Sequence, residues 1–433
     1  MLLILFIAFM LALIIGFDVG YSMILSAWLG VEYRGDAVDA AMMPLSMIAG
    51  VDTYALVQVP LFILAGELMN RGGLTLRLID WAQAIVGRVK GSLGHVSILT
   101  NLIMAGVSGS AVADAVATGK PLIPAMKREK YGDGFAGAVI AAGALLGPII
   151  PPSIPMVVYA QLSSQSVVKL FMAGVMPGLL LAAGFMVVCS IVARVRNYPS
   201  RPPVPWRGKA TATGRAGWAL LMPVIIIGGI RFGLVTDTEA AAVAVIYALI
   251  VSLFIYRGLK FGELPKLLYE SGRSTAVILF LLAAAGPFSW LVAESQVSQT
   301  VVQTIQGWST NPVVVLLIIN AFLLLIGCII EPLPAMIIFL PVLIPLGAEL
   351  GIDPIQFGAV VVLNLMIGLM HPPIGLLLFV VSSVGKIRIA PVMWEILPFL
   401  AWALIVLGLT IVFPPITTWL PGQLHEPFPS PRP

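Results

Sequence analysis

The chain has 433 residues, of which 59% are hydrophobic and only 10% charged, with a mean hydropathy of +1.04. Soluble domains carry about 25% charged residues, so a water-soluble enzyme or binding module is excluded and a polytopic membrane protein remains. The net charge of +4 is what basic cytoplasmic loops supply, and it gives no reason to expect nucleic acid.

The opening run, MLLILFIAFMLALIIGF, has neither a basic leader nor a small-residue cleavage site before the next apolar stretch, so it is expected to stay as a membrane segment. Further runs of spanning length fall at about 55–70, 168–193, 217–233, 238–256, 274–294 and 395–418. Runs that are short, or broken by Gly or Pro, fall at about 20–31, 40–50, 92–107, 109–126, 134–150, 152–165, 311–329, 331–350, 354–370 and 372–385. Two amphipathic stretches, 75–91 and 261–274, read either as helices along the membrane interface or as solvated connectors. The stretch 194–215 is rich in Arg and Pro and holds no acid, which makes it a cytoplasmic linker. The tail, PGQLHEPFPSPRP, has one Arg and no Lys, which points to the opposite side.

Two of the broken regions repeat. Gly106, Pro124, Gly147 and Pro151-Pro152 recur as Gly327, Pro345, Gly368 and Pro372-Pro373, each 221 positions later and with no gap. Paired halves with interrupted apolar segments are the sequence sign of a secondary transporter's binding site. In the first half, two apolar arms flank Gly106-Val107-Ser108-Gly109-Ser110, the composition of a re-entrant hairpin tip; a Gly/Ser helix-packing motif is the alternative. Downstream, Gly147-Pro148-Ile149-Ile150-Pro151-Pro152-Ser153 cannot continue a helix, since each proline removes a donor and clashes with the preceding turn. Carbonyls from Gly147 to Ile150, with Ser153 and the tip hydroxyls, are hard oxygen ligands that suit a small cation; a plain kink is the alternative.

In the second half the tip falls at Gly327-Cys328-Ile329-Ile330-Glu331-Pro332, and Glu331 takes the place of Ser110. An acid at an apolar tip either binds a cation, proton or helix terminus, or sits at the water boundary. His371 takes the place of Ile150 and either offers a ring nitrogen to substrate or packs against the break. Asp114 lies one turn past the first tip, where Lys120 or Lys127 can balance it on the surface. The two cysteines lie in apolar runs, and the three histidines have no Cys, Asp or Glu at ligand spacing, so no zinc site is expected. Around Gly119-Lys120 a Walker A motif fails at both ends (Asp114, Pro121), and no nucleophile–base pair is present. ATP hydrolysis and enzymatic function are therefore not expected, which leaves an ion gradient as the energy source.

These residues resemble the large membrane subunit of tripartite ATP-independent periplasmic (TRAP) transporters, the DctM-like family. The resemblance runs through PLFILAGELMNRGG (60–73), SGSAVADA (108–115), LGPIIPPS (146–153), MPGLLL (176–181), LPVLIPLGAELGIDPIQFG (340–358) and NLMIGLMHPPIG (364–375). It implies an all-α polytopic fold of two inverted repeats, about 30–190 and 240–400, each with a re-entrant hairpin and a discontinuous helix. The expected parts are scaffold helices and an arm at 1–91, a transport half at 92–166, a membrane helix at 167–193, the linker at 194–215, scaffold and arm at 216–295, the second transport half at 296–386, and a final helix and tail at 387–433. It implies Na⁺-driven, elevator-type uptake of a small organic acid across a bacterial inner membrane. A four-helix DctQ-like membrane subunit and a periplasmic DctP-like binding protein are the implied partners. Carried over by position, one sodium site uses Ser108, Ser110, Gly147, Ile150 and Ser153, and the other Gly327, Gly368, His371 and Ile374. Substrate would meet Ser108, Gly109, Ser110, Pro151, Pro152, Glu331, Pro332 and Pro372. Two positions depart from the family pattern: His371 stands where threonine is common, and Glu331 near the commoner aspartate. The alternative is a stand-alone sodium- or proton-coupled anion carrier, which would transport without a binding protein.

Overall fold

In the computed structural model, residues 2–35, 37–295, 299, 301, 303–304, 307, 309 and 311–424 are described, and they are helical with no strand among them. The tail beyond Leu424 and much of the start of the expected 296–386 segment lie outside the described residues. The first third comprises α1 (Leu2–Ile15), α2 (Val19–Arg34), α3 (Ala37–Ala49), α4 (Gln58–Arg71) and α5 (Leu74–Val86). The first broken region comprises α6 (Ser92–Ser108), α7 (Ala111–Arg128), α8 (Asp133–Ala144) and α9 (Ile154–Ser163). Long helices follow: α10 (Val167–Val195), α11 (Trp206–Arg231), α12 (Asp237–Ile250, continued by a π-turn to Ile255) and α13 (Leu264–Glu294). The second broken region comprises α14 (Pro312–Ile329), α15 (Pro332–Glu349), α16 (Pro354–Gly368) and α17 (Leu376–Gly385), and α18 (Ile389–Glu395), α19 (Leu397–Val412) and α20 (Pro415–Gly422) complete the chain.

Six of these helices are long and apolar enough to cross a bilayer, and two bent pairs add up to two more. The structure differs from the sequence expectation in three places. The linker is shorter: α11 begins at Trp206, just past Pro205, because the glycines of RGKATATGR lower helix propensity without removing a backbone donor as proline does. The amphipathic stretch 261–274 runs on from Leu264 into the next apolar run as one 31-residue helix, because a polar face does not interrupt backbone hydrogen bonding. The stretches 311–329 and 331–350, read as short or broken by Gly or Pro, are each 18-residue helices, the second continuing through Pro341 and Pro345.

The helices pack as a continuous network, in which α4 and α5 also lie on α6 and α13 on α15. α1 pairs with α2, α2 and α3 lie on α13, and α4 lies between α12 and α13. Elsewhere α6 and α7 pack on α8, α14 and α15 on α16, and the two halves interlock reciprocally: α9 rests on α15 and α17 on α7. Small residues set the spacing. A β-carbon at Gly184 of α10 would fall inside the Trp402 indole of α19, whose Nε1 donates to the Leu180 carbonyl at 3.0 Å.

Candidate functional site

At the first tip α6 stops at Ser108 because Gly109 takes a left-handed conformation (φ +61°), which an L side chain adopts at a cost. Ser110 is extended and caps α7, its hydroxyl accepting from Ala113 N at 3.4 Å, while Ser110 N donates to Ser108 Oγ at 3.4 Å. The tip meets the break downstream: a β-carbon on Gly109 would lie 2.8 Å from the Pro152 carbonyl oxygen. There α8 ends at Ala144, and the chain turns through Gly147 and the Pro151-Pro152 pair before α9 starts. Among the described residues, the carbonyls of Gly147, Ile149 and Ile150 accept no backbone hydrogen bond. The Ser153 hydroxyl is committed, capping α9 at Met156 N and donating to the Pro148 carbonyl.

The second tip is built differently. Ile330 is extended, Glu331 stands at the N-cap, and Pro332 opens α15, where its missing N–H costs nothing. Gly327 and Gly368 touch backbone to backbone; a β-carbon on Gly368 would lie 2.5 Å from the Gly327 carbonyl carbon. The second break satisfies its own carbonyls: His371 N donates to Gly368 O at 3.1 Å, Gly375 N to His371 O at 3.0 Å, and Leu377 N to Leu369 O at 2.9 Å. His371 Nδ1 is buried with no hydrogen-bond partner among the described residues, and the Cys328 thiol lies 3.5 Å from the His371 carbonyl oxygen. Ile374 is 48% exposed.

A cavity of about 250 Å³ lies between the two tips. Of the residues assigned to substrate by sequence, Ser108, Gly109, Ser110, Glu331 and Pro332 line it; Pro151, Pro152 and Pro372 do not. Of the residues assigned to sodium only Ser108 and Ser110 reach it; Gly147, Ile150 and Ser153 are buried behind the first tip, and Gly327, Gly368, His371 and Ile374 lie off the cavity. Glu331 is exposed and faces this space. The far wall, which sequence reasoning missed, comes from Glu67 and Asn70 of α4 and Ser274 and Ile278 of α13. Gly66 makes α4 approach the tip, since its β-carbon would lie 3.1 Å from Ser108 Cα. The segment GELMN was visible in the sequence, but nothing local says which tip it faces.

Asp114 requires a correction. It is not a surface residue balanced by lysine: it is fully buried, and Lys127 instead sits 3.5 Å from Asp133 and donates to the Gly385 carbonyl. Among the described residues neither Asp114 oxygen meets a donor in hydrogen-bonding geometry, and the Ser108 side chain is its polar neighbour. A β-carbon on Gly147 would lie 2.6 Å from Asp114 Oδ2, so the carboxylate rests on the glycine of the first break. Tip, break and an unpaired acid thus converge within one buried volume. Such a group is costly unless a positive charge or donors answer it. The signal was a lone acid in an apolar arm.

The chain matches the family described as "Tripartite ATP-independent periplasmic transporter, DctM component" over residues 6–416. It is 40% identical to the sialic acid TRAP transporter large permease protein SiaM of Vibrio cholerae, over 94% of this chain and 95% of that protein. It is 41% identical to the C4-dicarboxylate TRAP transporter large permease protein DctM of Pseudomonas aeruginosa (86% and 87%) and 38% identical to the 2,3-diketo-L-gulonate large permease protein YiaN of Escherichia coli (87% and 88%). These relatives are transport permeases, not enzymes. The fold is similar to the YdaH transporter of Alcanivorax borkumensis, with a TM-score of 0.64 at 16% identity, covering 87% of this chain and 89% of that one. A match across nearly the whole length, with curated relatives near 40% identity, establishes that this chain is a membrane permease of the DctM family, the large subunit of TRAP transporters.

Proposed function

We propose that this chain carries a small organic anion across a bacterial inner membrane, driven by a sodium gradient and an elevator movement of α6–α9 with α14–α17 against the remaining membrane helices. The substrate is delivered by a periplasmic DctP-like binding protein, and a small four-helix DctQ-like membrane subunit completes the complex. The relatives' names span sialic acid, C4-dicarboxylate and 2,3-diketo-L-gulonate, all acids of modest size, which supports an organic acid as cargo. The reciprocal packing of α9 on α15 and α17 on α7 fits two inverted repeats folded into one moving body.

The observation that carries the sodium reading is the buried Asp114 carboxylate, which rests on Gly147 beside Ser108 and meets no donor in hydrogen-bonding geometry among the described residues. Hard anionic and carbonyl oxygens in a dry setting suit a small cation, and cation binding there would supply the missing charge compensation. On this reading Asp114 joins Ser108, Ser110, Gly147 and Ile150 at the first sodium site. The second site, with Gly327, Gly368, His371 and Ile374, would have to use the remaining lone pairs of main-chain oxygens that already accept hydrogen bonds at Gly368 and His371, because an imidazole is a poor sodium ligand. The test is sodium-driven uptake by the complete three-part system in proteoliposomes. Asp114→Asn should lower the sodium-dependent rate by about 100-fold, as expected for removing one partner of a buried charge pair. An uptake rate and sodium dependence equal to the parent protein's would overturn the assignment.

A further inference from the structure

No acidic residue occurs between Asp133 and Asp237, while Arg194, Arg196, Arg201, Arg207, Lys209, Arg215 and Arg231 all fall in that interval. Two of these cations are spent inside the protein: Arg196 lies 2.8 Å from Glu395, and Arg201 Nε donates to Glu129 at 3.1 Å. With these two pairs the linker is pinned against the loop after α5, where Arg201 N donates to Gly87 O at 3.0 Å and Gly91 N to Pro199 O at 3.1 Å. This docking brings Arg88 and Lys209 into one shallow cleft, with Pro202, Pro203 and Val204 between them. Arg207 is exposed on the same first turn of α11. Among the described residues no acid pairs with Arg88, Arg207 or Lys209.

The apolar residues around the cleft point outward. Trp206 is 80% exposed, and Ile85 and Val89 on the α5 side are more than one-third exposed. Exposed indole beside unanswered cations, where a spanning helix enters the bilayer, is the composition of a membrane–water interface. A free anion would use the cations and leave Trp206, Ile85 and Val89 wet; a lipid satisfies both. We infer that Arg88 and Lys209 in the cleft, with Arg207 and Trp206 exposed on the same turn of α11, form a binding site for the phosphate of an anionic phospholipid in the cytoplasmic leaflet. The site anchors the linker between the two halves of the chain at the membrane surface, and it stands whether or not sodium drives transport.

Native mass spectrometry of the purified full-length chain tests this, with dioleoyl phosphatidylglycerol, dioleoyl phosphatidylcholine and inorganic phosphate as separate probes. Phosphatidylglycerol should be retained in preference to phosphatidylcholine, and inorganic phosphate should not displace it. Each of R88Q, R207Q and K209Q should weaken phosphatidylglycerol binding about fivefold, the effect of one interfacial charge. The charge-keeping triple variant R88K/R207K/K209R should retain binding, which separates loss of charge from loss of fold. Equal retention of the two lipids, unchanged binding in the triple glutamine variant, or displacement by phosphate would overturn the inference.

Discussion

The glycines of the second tip and the second break meet each other with unequal clearance, and this separates two positions that both read as breakers in the sequence. A β-carbon on Gly368 would meet the Gly327 backbone at 2.5–2.8 Å, whereas one on Gly327 would find its nearest atom, Gly368 Cα, at 3.4 Å. Backbone cannot swing aside as a side-chain tip can, so Gly368→Ala should destabilise the protein by about 1–3 kcal/mol. Gly327→Ala should fall within about 0.5 kcal/mol of the parent. Chemical unfolding in detergent, followed for both variants, checks the contrast; equal effects would show that the second tip and break are not in backbone contact. Gly368 was legible as a breaker because Gly-x-x-x-Pro-Pro has few structural uses inside an apolar run, and Gly327 because it repeats Gly106 at the same offset. Their inequality was not, since it depends on two segments some forty residues apart meeting at one point. Asp114 illustrates the same limit: its type and position were plain, but its burial against Gly147 is a tertiary fact.

At the level of elements, the two hairpins are fastened by opposite chemistry at matching positions. Between α6 and α7, Asn101 Nδ2 donates to Ser97 O at 2.9 Å and to Thr118 Oγ1 at 3.3 Å, and Thr118 Oγ1 donates to Asp114 O at 2.7 Å. The positions 221 residues later are Phe322 and Phe339, which pack edge to face across α14 and α15 with ring centroids 5.1 Å apart. In the second half the polar contact has moved to the broken helix, where Asn364 Nδ2 donates to Asn320 O at 2.8 Å and to Asn320 Oδ1 at 2.6 Å. The Asn364 counterpart in the first half is Gly143, against which Asn101 lies. Asn101→Leu should therefore cost about 1–3 kcal/mol, because it strips the Thr118 partner inside a buried arm pair. Phe322→Leu keeps an apolar filler on a half-exposed face and should cost less than about 1.5 kcal/mol. Differential scanning fluorimetry of the two variants ranks them, and the reverse order would remove the polar fastening from the account. Helix existence was readable from apolar runs and breakers. The fusion of 261–294 into one helix was not, because amphipathicity marks which face is solvated rather than where a helix ends.

For the molecule as a whole, the proposed movement requires that the cavity walls come from two bodies that separate. Glu67, Asn70, Ser274 and Ile278 belong to α4 and α13, while Ser108, Glu331 and Leu333 belong to the hairpins. Arg71 ties α4 to α13 by pairing with both Glu67 and Glu270, so that wall holds together as a unit. Ile278→Cys paired with Leu333→Cys places one thiol on each wall, and a short reducible bis-thiosulfonate bridge between them should arrest sodium-driven uptake. Reductant should then restore it. Gly119→Cys with Val384→Cys joins α7 to α17 inside the proposed moving body, where a β-carbon on Gly119 already lies 3.2 Å from Val384 Cγ1. Bridging that pair should leave uptake within about twofold of the unbridged protein, since elements that travel together lose nothing when tied. Cys189 and Cys328 are both buried and contribute little background reaction. Continued uptake with the Ile278–Leu333 bridge formed would mean that substrate crosses without the two walls parting, and the elevator reading would fail while membership of the permease family stood.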